Sequence, residues 1–218
     1  MAVRAERVHA TREQLLTAAE RLFAERGVFA VSNRQVSEAA GQGNNTAVGY
    51  HFGTKTDLVR AIVRRHAAPI ERLQQRMVAE AGDSADVRDW VACLVRPLTE
   101  HLADMGNPTW YARFSAQVMT DPALRGIVLE EAYTSPTMMR IVDGLNRCRP
   151  ELPPEIRAER DDMARQVIVH MCAERERALA DDAPTPRPSW HDAATGMIDA
   201  IAGLWLAPAT IPTREEAS

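Results

Sequence analysis

Ser32-Asn33-Arg34-Gln35-Val36-Ser37-Glu38-Ala39-Ala40-Gly41-Gln42-Gly43-Asn44-Asn45-Thr46-Ala47-Val48-Gly49-Tyr50-His51-Phe52-Gly53-Thr54-Lys55-Thr56-Asp57-Leu58 decides the fold. Ser32 and Gln35 have the spacing of a capping box, in which the hydroxyl takes an orphan helix amide and the Gln side chain takes the amide of the cap. Gly41 ends that short helix, Asn44 or Asn45 caps a second, and Phe52-Gly53 closes it. Thr54 and Asp57 then cap the next helix. Two short helices joined by a Gly-containing turn form a helix-turn-helix, whose second helix enters the DNA major groove. The stretch therefore points to DNA binding.

Working toward the N-terminus, Thr11 and Gln14 read as another capping box. It opens a helix whose apolar positions Leu15, Leu16, Ala19, Leu22 and Phe23 share one face, closed by Gly27. In the other direction helical signals continue and strand signals are absent. Helices are expected over roughly 55–80, bent or broken at Pro69, and roughly 85–105, kinked at Pro97. Asn107-Pro108 and Asp121-Pro122 read as N-cap plus first-turn proline, and Ser135-Pro136 as a kink or a new start. Pro153-Pro154 opens a helix to about 180, Ala183–Ser189 is a linker, and a last helix carries Trp190 through Trp205. The chain is thus expected to be all-α: a helix-turn-helix head over 1–54, a larger helical body over 55–207, and a flexible tail over 208–218.

Composition agrees. The net charge is −4, but residues 1–65 hold ten Arg/Lys against six Asp/Glu, and the remainder sixteen against twenty-four. A basic head on an acidic body suits a nucleic-acid module carried by another domain. Three cysteines without C-x-x-C spacing argue for reduced thiols rather than disulfides or a zinc site, a redox sensor being the alternative. The N-terminus has no apolar signal region and no apolar run approaches membrane length, so a cytoplasmic protein without a membrane partner is expected. Arg outnumbers Lys twenty-five to one, which points to a GC-rich bacterial genome.

Residues 10–60 resemble the tetracycline-repressor (TetR) family of bacterial transcription regulators, through Arg34…Ala40-Gly41 and Tyr50-His51-Phe52-Gly53-x-Lys55-x-x-Leu58 after a capped first helix. The resemblance implies a homodimer that sets two heads in adjacent major grooves of a palindromic double-stranded operator. It also implies a body whose last two helices form a four-helix dimer bundle, and a small-molecule effector in the body that releases DNA. By motif position, Asn45, Thr46, Ala47 and Gly49 fall where the family reads bases. Arg34, Tyr50, His51 and Lys55 fall where it holds phosphates. The chain departs from the commonest pattern by one extra residue between Gly41 and His51, and by Gly49 where an aromatic is frequent.

The residue chemistry can be read independently. Lys55, the single lysine, stands in the first turn of a helix, where the dipole disfavours a cation. A position that breaks a local rule suggests function, here a phosphate clamp; the alternative is an exposed charge without a role. Tyr50 and His51 can donate to phosphate or pack on Phe23 or Phe29. Asn44, Asn45 and Thr46 suit base edges and helix caps alike, and one asparagine must cap. Arg34 reaches the backbone or is surface charge. In the body, Trp90, Trp110, Tyr111, Phe114, Tyr133, Met138 and His170 are candidates for an effector pocket suited to an apolar or aromatic molecule, or else plain core. Met163, Val167 and Met171, with Met197, Ile198, Ile201, Leu204 and Trp205, form stripes expected to bury against a second subunit, or within their own.

Other functions find little support. A carboxylate-bridged metal enzyme needs two Glu-x-x-His pairs, and only Glu6…His9 has that spacing. There is no Gly-rich phosphate loop and no Gly-x-Ser-x-Gly elbow, so no catalytic residue, metal or cofactor is expected. A sensor acting through a protein partner, without specific DNA binding, is the other alternative.

Overall fold

Residues 2–44 and 46–209 are described by a computed structural model. Ten helices follow one another among them: α1 (Ala2–Arg26), α2 (Asn33–Ala39), α3 (Ala47–Phe52), α4 (Lys55–Ala81), α5 (Val87–Met105), α6 (Tyr111–Thr120), α7 (Arg125–Tyr133), α8 (Pro136–Cys148), α9 (Pro154–Ala180) and α10 (Trp190–Leu206). No strand occurs among these residues.

The head is built as its caps dictate. Ser32 and Gln35 make the reciprocal capping box of α2, and Thr54 and Asp57 that of α4. Gly41 sits at φ +69° in the α2–α3 turn, a left-handed conformation that a side chain would strain. The apolar face of α1, with Leu15, Ala19 and Phe23 fully buried, meets Val36 of α2, Val48 of α3 and Leu58 of α4. The Thr11 capping box does not form, because α1 begins nine residues earlier and runs through it. Nothing between Ala2 and Ala10 breaks a helix, so Thr11 faces no free amide to cap.

The same α4 that leaves the head runs unbroken past Pro69 into the body, and α5 likewise passes Pro97. Neither proline ends its helix. Asn107-Pro108 does not start one: α6 begins at Tyr111, and the Asn107 side chain instead donates to the Leu179 carbonyl at 3.1 Å. Asp121-Pro122 forms a turn before α7, with Asp121 accepting from the Ala123 amide at 2.8 Å. Ser135-Pro136 does open α8, with Ser135 as cap, and Pro154 and Trp190 begin α9 and α10 as expected.

Two buried devices fix the body. The Trp90 ring of α5 lies directly on Gly144 of α8, and its Nε1 donates to the Ser84 carbonyl at 2.9 Å. Glu176 of α9, only 1% exposed, carries the start of α6. Its carboxylate accepts from Thr109 Oγ1 (2.8 Å), the amides of Ala112 (3.1 Å) and Arg113 (2.9 Å), and Arg113 Nε (3.1 Å). A carboxylate at a helix N-terminus satisfies orphan amides and opposes the dipole.

All three cysteines are free thiols; burial pushes the pKa of Cys93 up to about 11 and of Cys172 up to about 12, so neither forms a thiolate readily. Among the described residues no helix is long and apolar enough to cross a membrane. The expected flexible tail lies from 210 onward outside the described residues.

Candidate nucleic-acid interface and its supporting body

Helix α3 presents two opposite faces. Ala47 (7% exposed) and Val48 (fully buried) anchor it in the head. Thr46 and Gly49 are exposed and Tyr50 is 79% exposed, so positions one turn apart share an outward face. Tyr50 packs on neither Phe23 nor Phe29; its ring meets only the edge of His51, centroids 5.0 Å apart. Of the four base-reading positions implied by the family resemblance, Ala47 is corrected: its Cβ points into the core and cannot reach a base. Asn45 lies outside the described residues.

Thr46 is the N-cap residue of this helix, without a side-chain cap bond, and Asn44 braces it from the preceding turn. Its Oδ1 accepts from the Thr46 amide at 3.0 Å and from the Thr46 hydroxyl at 2.7 Å. Arg34 on α2 is exposed and pairs with Glu38 one turn on, at 2.7 Å. Such an exposed pair contributes little and exchanges readily for another anion.

Lys55 has a local task that its position alone does not reveal. Its ammonium donates to the carbonyls of Val28 (3.2 Å) and Val31 (2.5 Å), tying the α1–α2 turn to the start of α4. A residue missed from sequence, Arg12, does similar work: Nη1 donates to the His51 carbonyl at 2.9 Å while the guanidinium covers the Phe52 ring at 4.2 Å. Gln14 accepts from Gln42 Nε2 at 3.0 Å. α1 thus holds the last turn of α3 and the turn that leads from α2 toward it. The only available signal for Arg12 was a cation one turn before the apolar face of α1.

The body does not hollow out where its aromatics gather. Trp90 (1% exposed) and Phe114 (fully buried) are packed core, Tyr111 is 7% exposed, and His170 faces solvent. Met138 is half-buried, and the Tyr133 side chain lies outside the described residues. Trp110 borders an open hollow, of about 350 Å³, between α1, α4, α5 and the segment before α6. Behind it lies a buried polar chain. His66 Nε2 donates to Glu20 Oε2 at 2.8 Å, and its Nδ1 meets His101 Nε2 at 2.8 Å. Arg65 also binds the Glu20 carboxylate, and Tyr111 stacks on His66 with centroids 3.8 Å apart.

Burial would raise the pKa of Glu20, but the hydrogen bond and charge of His66, with Arg65, outweigh it and hold the carboxyl below its ordinary value. Burial, then the neighbouring His66, pushes His101 down to about 4, against the pull of Asp104 and Glu20. Each native pKa lies below that of the unfolded chain, so the unfolded chain takes up protons first as pH falls. The stability these groups contribute is complete near neutrality. For His101 it is lost as pH falls from about 6.5 toward 4, and for Glu20 as pH falls through its lowered native pKa. Urea midpoints should therefore drop between about pH 7 and pH 5, and His101→Gln should flatten that drop.

The last two helices are only partly as expected. Met197, Ile198, Ile201 and Trp205 are each 4% exposed or less, buried chiefly against α5 of their own chain. They are corrected from interface to core. Met163 (43%) and Met171 (52%) remain exposed, with Val167 and Leu204 half-buried between α9 and α10. These line an outward apolar groove that widens to about 630 Å³ near Trp190 and Arg187.

Residues 15–62 match the model of bacterial regulatory proteins of the tetR family, and residues 92–203 that of the tetracyclin repressor-like C-terminal domain. The chain belongs to the TetR family. The HTH-type transcriptional repressor AcnR of Corynebacterium glutamicum is 28% identical over 155 residues, covering 67% of this chain and 73% of that protein. AcnR of Corynebacterium efficiens matches to the same extent. Among solved structures, the multidrug binding protein EbrR complexed with imidazole aligns with a TM-score of 0.52 at 22% identity, over 91% of this chain and 97% of that one. PfmR, a TetR-family regulator from Thermus thermophilus, aligns with a TM-score of 0.54 at 16% identity, over 88% and 96%. At these identities the structures share the fold. The TetR architecture assigns the head to DNA and makes this chain a transcription regulator.

Proposed function

We propose that this TetR-family chain is a homodimeric, effector-controlled repressor that reads a palindromic operator through the outward face of α3. The carrying observation is the division of α3: Ala47 and Val48 buried, Thr46, Gly49 and Tyr50 exposed. Thr46 and Gly49 approach base edges, while Tyr50, His51 and Arg34 hold phosphates, Arg34 exchanging Glu38 for DNA. Lys55 acts on DNA through the loop it secures, and Asn44 through its hold on Thr46 at the start of α3. The subunits join through the α9–α10 groove around Met163, Val167, Met171 and Leu204, an apolar surface of the kind a partner covers. The effector enters the hollow beside Trp110, which touches both α1 of the head and the body. EbrR, which shares the fold, is a multidrug binding protein solved with a small molecule, in keeping with this reading.

Fluorescence anisotropy on DNA upstream of the chain's own gene, beside scrambled DNA, tests the proposal. Selective binding should weaken steeply with salt, the logarithmic slope reporting about 0.9 per phosphate neutralised. Tyr50→Ala should weaken binding about tenfold, a loss on the scale of one charge-assisted contact, without moving the urea midpoint. Binding of equal strength to both DNAs at every salt concentration, unchanged by Tyr50→Ala, would remove α3 as the reading element.

A further inference from the structure

At the end of the body away from the head, the chain gathers cations that nothing so far uses. Cys148, the last residue of α8, lies 3.5 Å from the Ser84 carbonyl in the α4–α5 turn, about 40 Å along α4 from the head. Beside it is a recess of about 360 Å³, walled by Asn146, Arg149, Glu151, Arg157, Arg160 and Trp205.

Its charge is out of balance. Arg160, 8% exposed, donates to the carbonyls of Trp205 (3.0 Å), Ala207 (2.7 Å) and Pro208 (3.2 Å), and among the described residues to no carboxylate. Those contacts cap the end of α10 but leave a full positive charge out of water. The Arg149 side chain, 7% exposed, pairs with Asp161 and with Asn146 Oδ1 (2.5 Å), and lies over the Trp205 ring at 5.0 Å. Among the described residues its Nε has no acceptor, and neither has Nε1 of Trp205, a residue only 2% exposed. Arg157 is exposed and has no ion-pair partner among the described residues. Buried donors are almost always satisfied and buried cations are normally paired, so two orphan donors beside an unpaired guanidinium mark a missing acceptor.

We propose that this recess binds a small oxyanion, a carboxylate or phosphate group on a small molecule. Guanidinium forks suit both groups bidentately, and an indole N–H adds a neutral donor to the same oxygens. Arg149 and Trp205 form the floor, Arg160 supplies charge, and Arg157 closes over the anion from the rim. Glu151, also on the rim, opposes extended polyanions and favours a compact one. The bound anion links the loop after α8, the start of α9 and the end of α10.

Isothermal titration of the full chain at constant ionic strength tests this, with inorganic phosphate and succinate as probes and chloride as the reference. One saturable site per chain is expected, with a Kd of about 1 mM or tighter for at least one probe and a matching rise in Tm. Phosphate alone, succinate alone, or both would identify the preferred group. Arg157→Gln, at an exposed unpaired residue, should leave the urea midpoint unchanged and weaken binding about tenfold or more. No saturable binding up to about 10 mM of either probe, or equal binding by Arg157→Gln, would overturn the site. Binding that appears only after removal of residues 210–218 would mean that the chain's own tail carboxylates fill the recess, and would equally overturn a free ligand.

Discussion

Replacing Glu176 by alanine is expected to remove about 3–5 kcal/mol of stability, the scale for breaking a buried charged pair by deleting one partner. The carboxylate is 1% exposed and accepts four hydrogen bonds, all from the segment that opens α6. Without it the Ala112 and Arg113 amides lose their acceptor, the Thr109 hydroxyl is unpaired, and the Arg113 guanidinium, mostly buried, keeps only the Thr109 carbonyl at 2.9 Å. Each loss is of a donor that water does not readily reach. For a chain of this size the melting temperature should fall by about 10 °C or more. Glu176→Gln keeps the shape and one acceptor oxygen, so it should cost clearly less. Urea midpoints of the two variants check the ordering; equal costs would mean that the charge carries the whole effect and the retained shape and acceptor oxygen carry none of it.

Gly144→Ala is expected to destabilise as strongly as many large deletions, although it adds one methyl group. A Cβ there would stand 2.1, 2.3 and 2.4 Å from three ring atoms of Trp90. The ring cannot slide aside cheaply: its Nε1 is bonded to the Ser84 carbonyl, and Arg147 stands over it at 5.3 Å. Overpacking costs typically 1–3 kcal/mol and more where backbones must part, so about 3 kcal/mol is expected. Trp90→Ala alone should cost about 3–5 kcal/mol through the void it leaves. The double variant carries the sharper test. With the ring gone the new methyl has room, so the two costs should fall short of additivity by about 2 kcal/mol or more. Additive costs would mean that the contact is not what makes alanine unwelcome at 144.

The head was legible because its signals are local. Ser32 with Gln35, and Thr54 with Asp57, satisfy amides within their own turns, so spacing alone predicts them. Thr11 has the same spacing and caps nothing, since a cap needs a helix to begin there and the preceding residues are helix formers. On α3 Thr46, Gly49 and Tyr50 are exposed and Ala47 is buried, a division that a six-residue helix is too short for periodicity to give. The body was legible in helix order and not in its hollows. Apolar stripes state that a face is covered without naming the cover: α10 turned out to be covered largely by α5 of its own chain, leaving α9 to supply the exposed methionines. Aromatic content signalled core rather than cavity at Trp90 and Phe114. The acceptor-poor recess at Arg149 and Arg160 had no sequence signal, since it joins the end of α8 to the end of α10 across more than fifty residues.

Seen as a machine part, α1 is a lever. It is one uninterrupted rod of 25 residues, about 37 Å long, with no joint between the head it braces and the body it rests on. Its bearing on the body is Glu20 against His66, backed by Phe23 stacked on Phe114, centroids 6.3 Å apart. Its working end is Arg12, which grips the last turn of α3 through the His51 carbonyl. Bearing and grip are eight residues apart, about 12 Å along the axis. A tilt of about 10° at the bearing therefore moves the grip by about 2 Å, nearly the width of an atom. A displacement at the Trp110 hollow therefore has one continuous helix through which to reach α3.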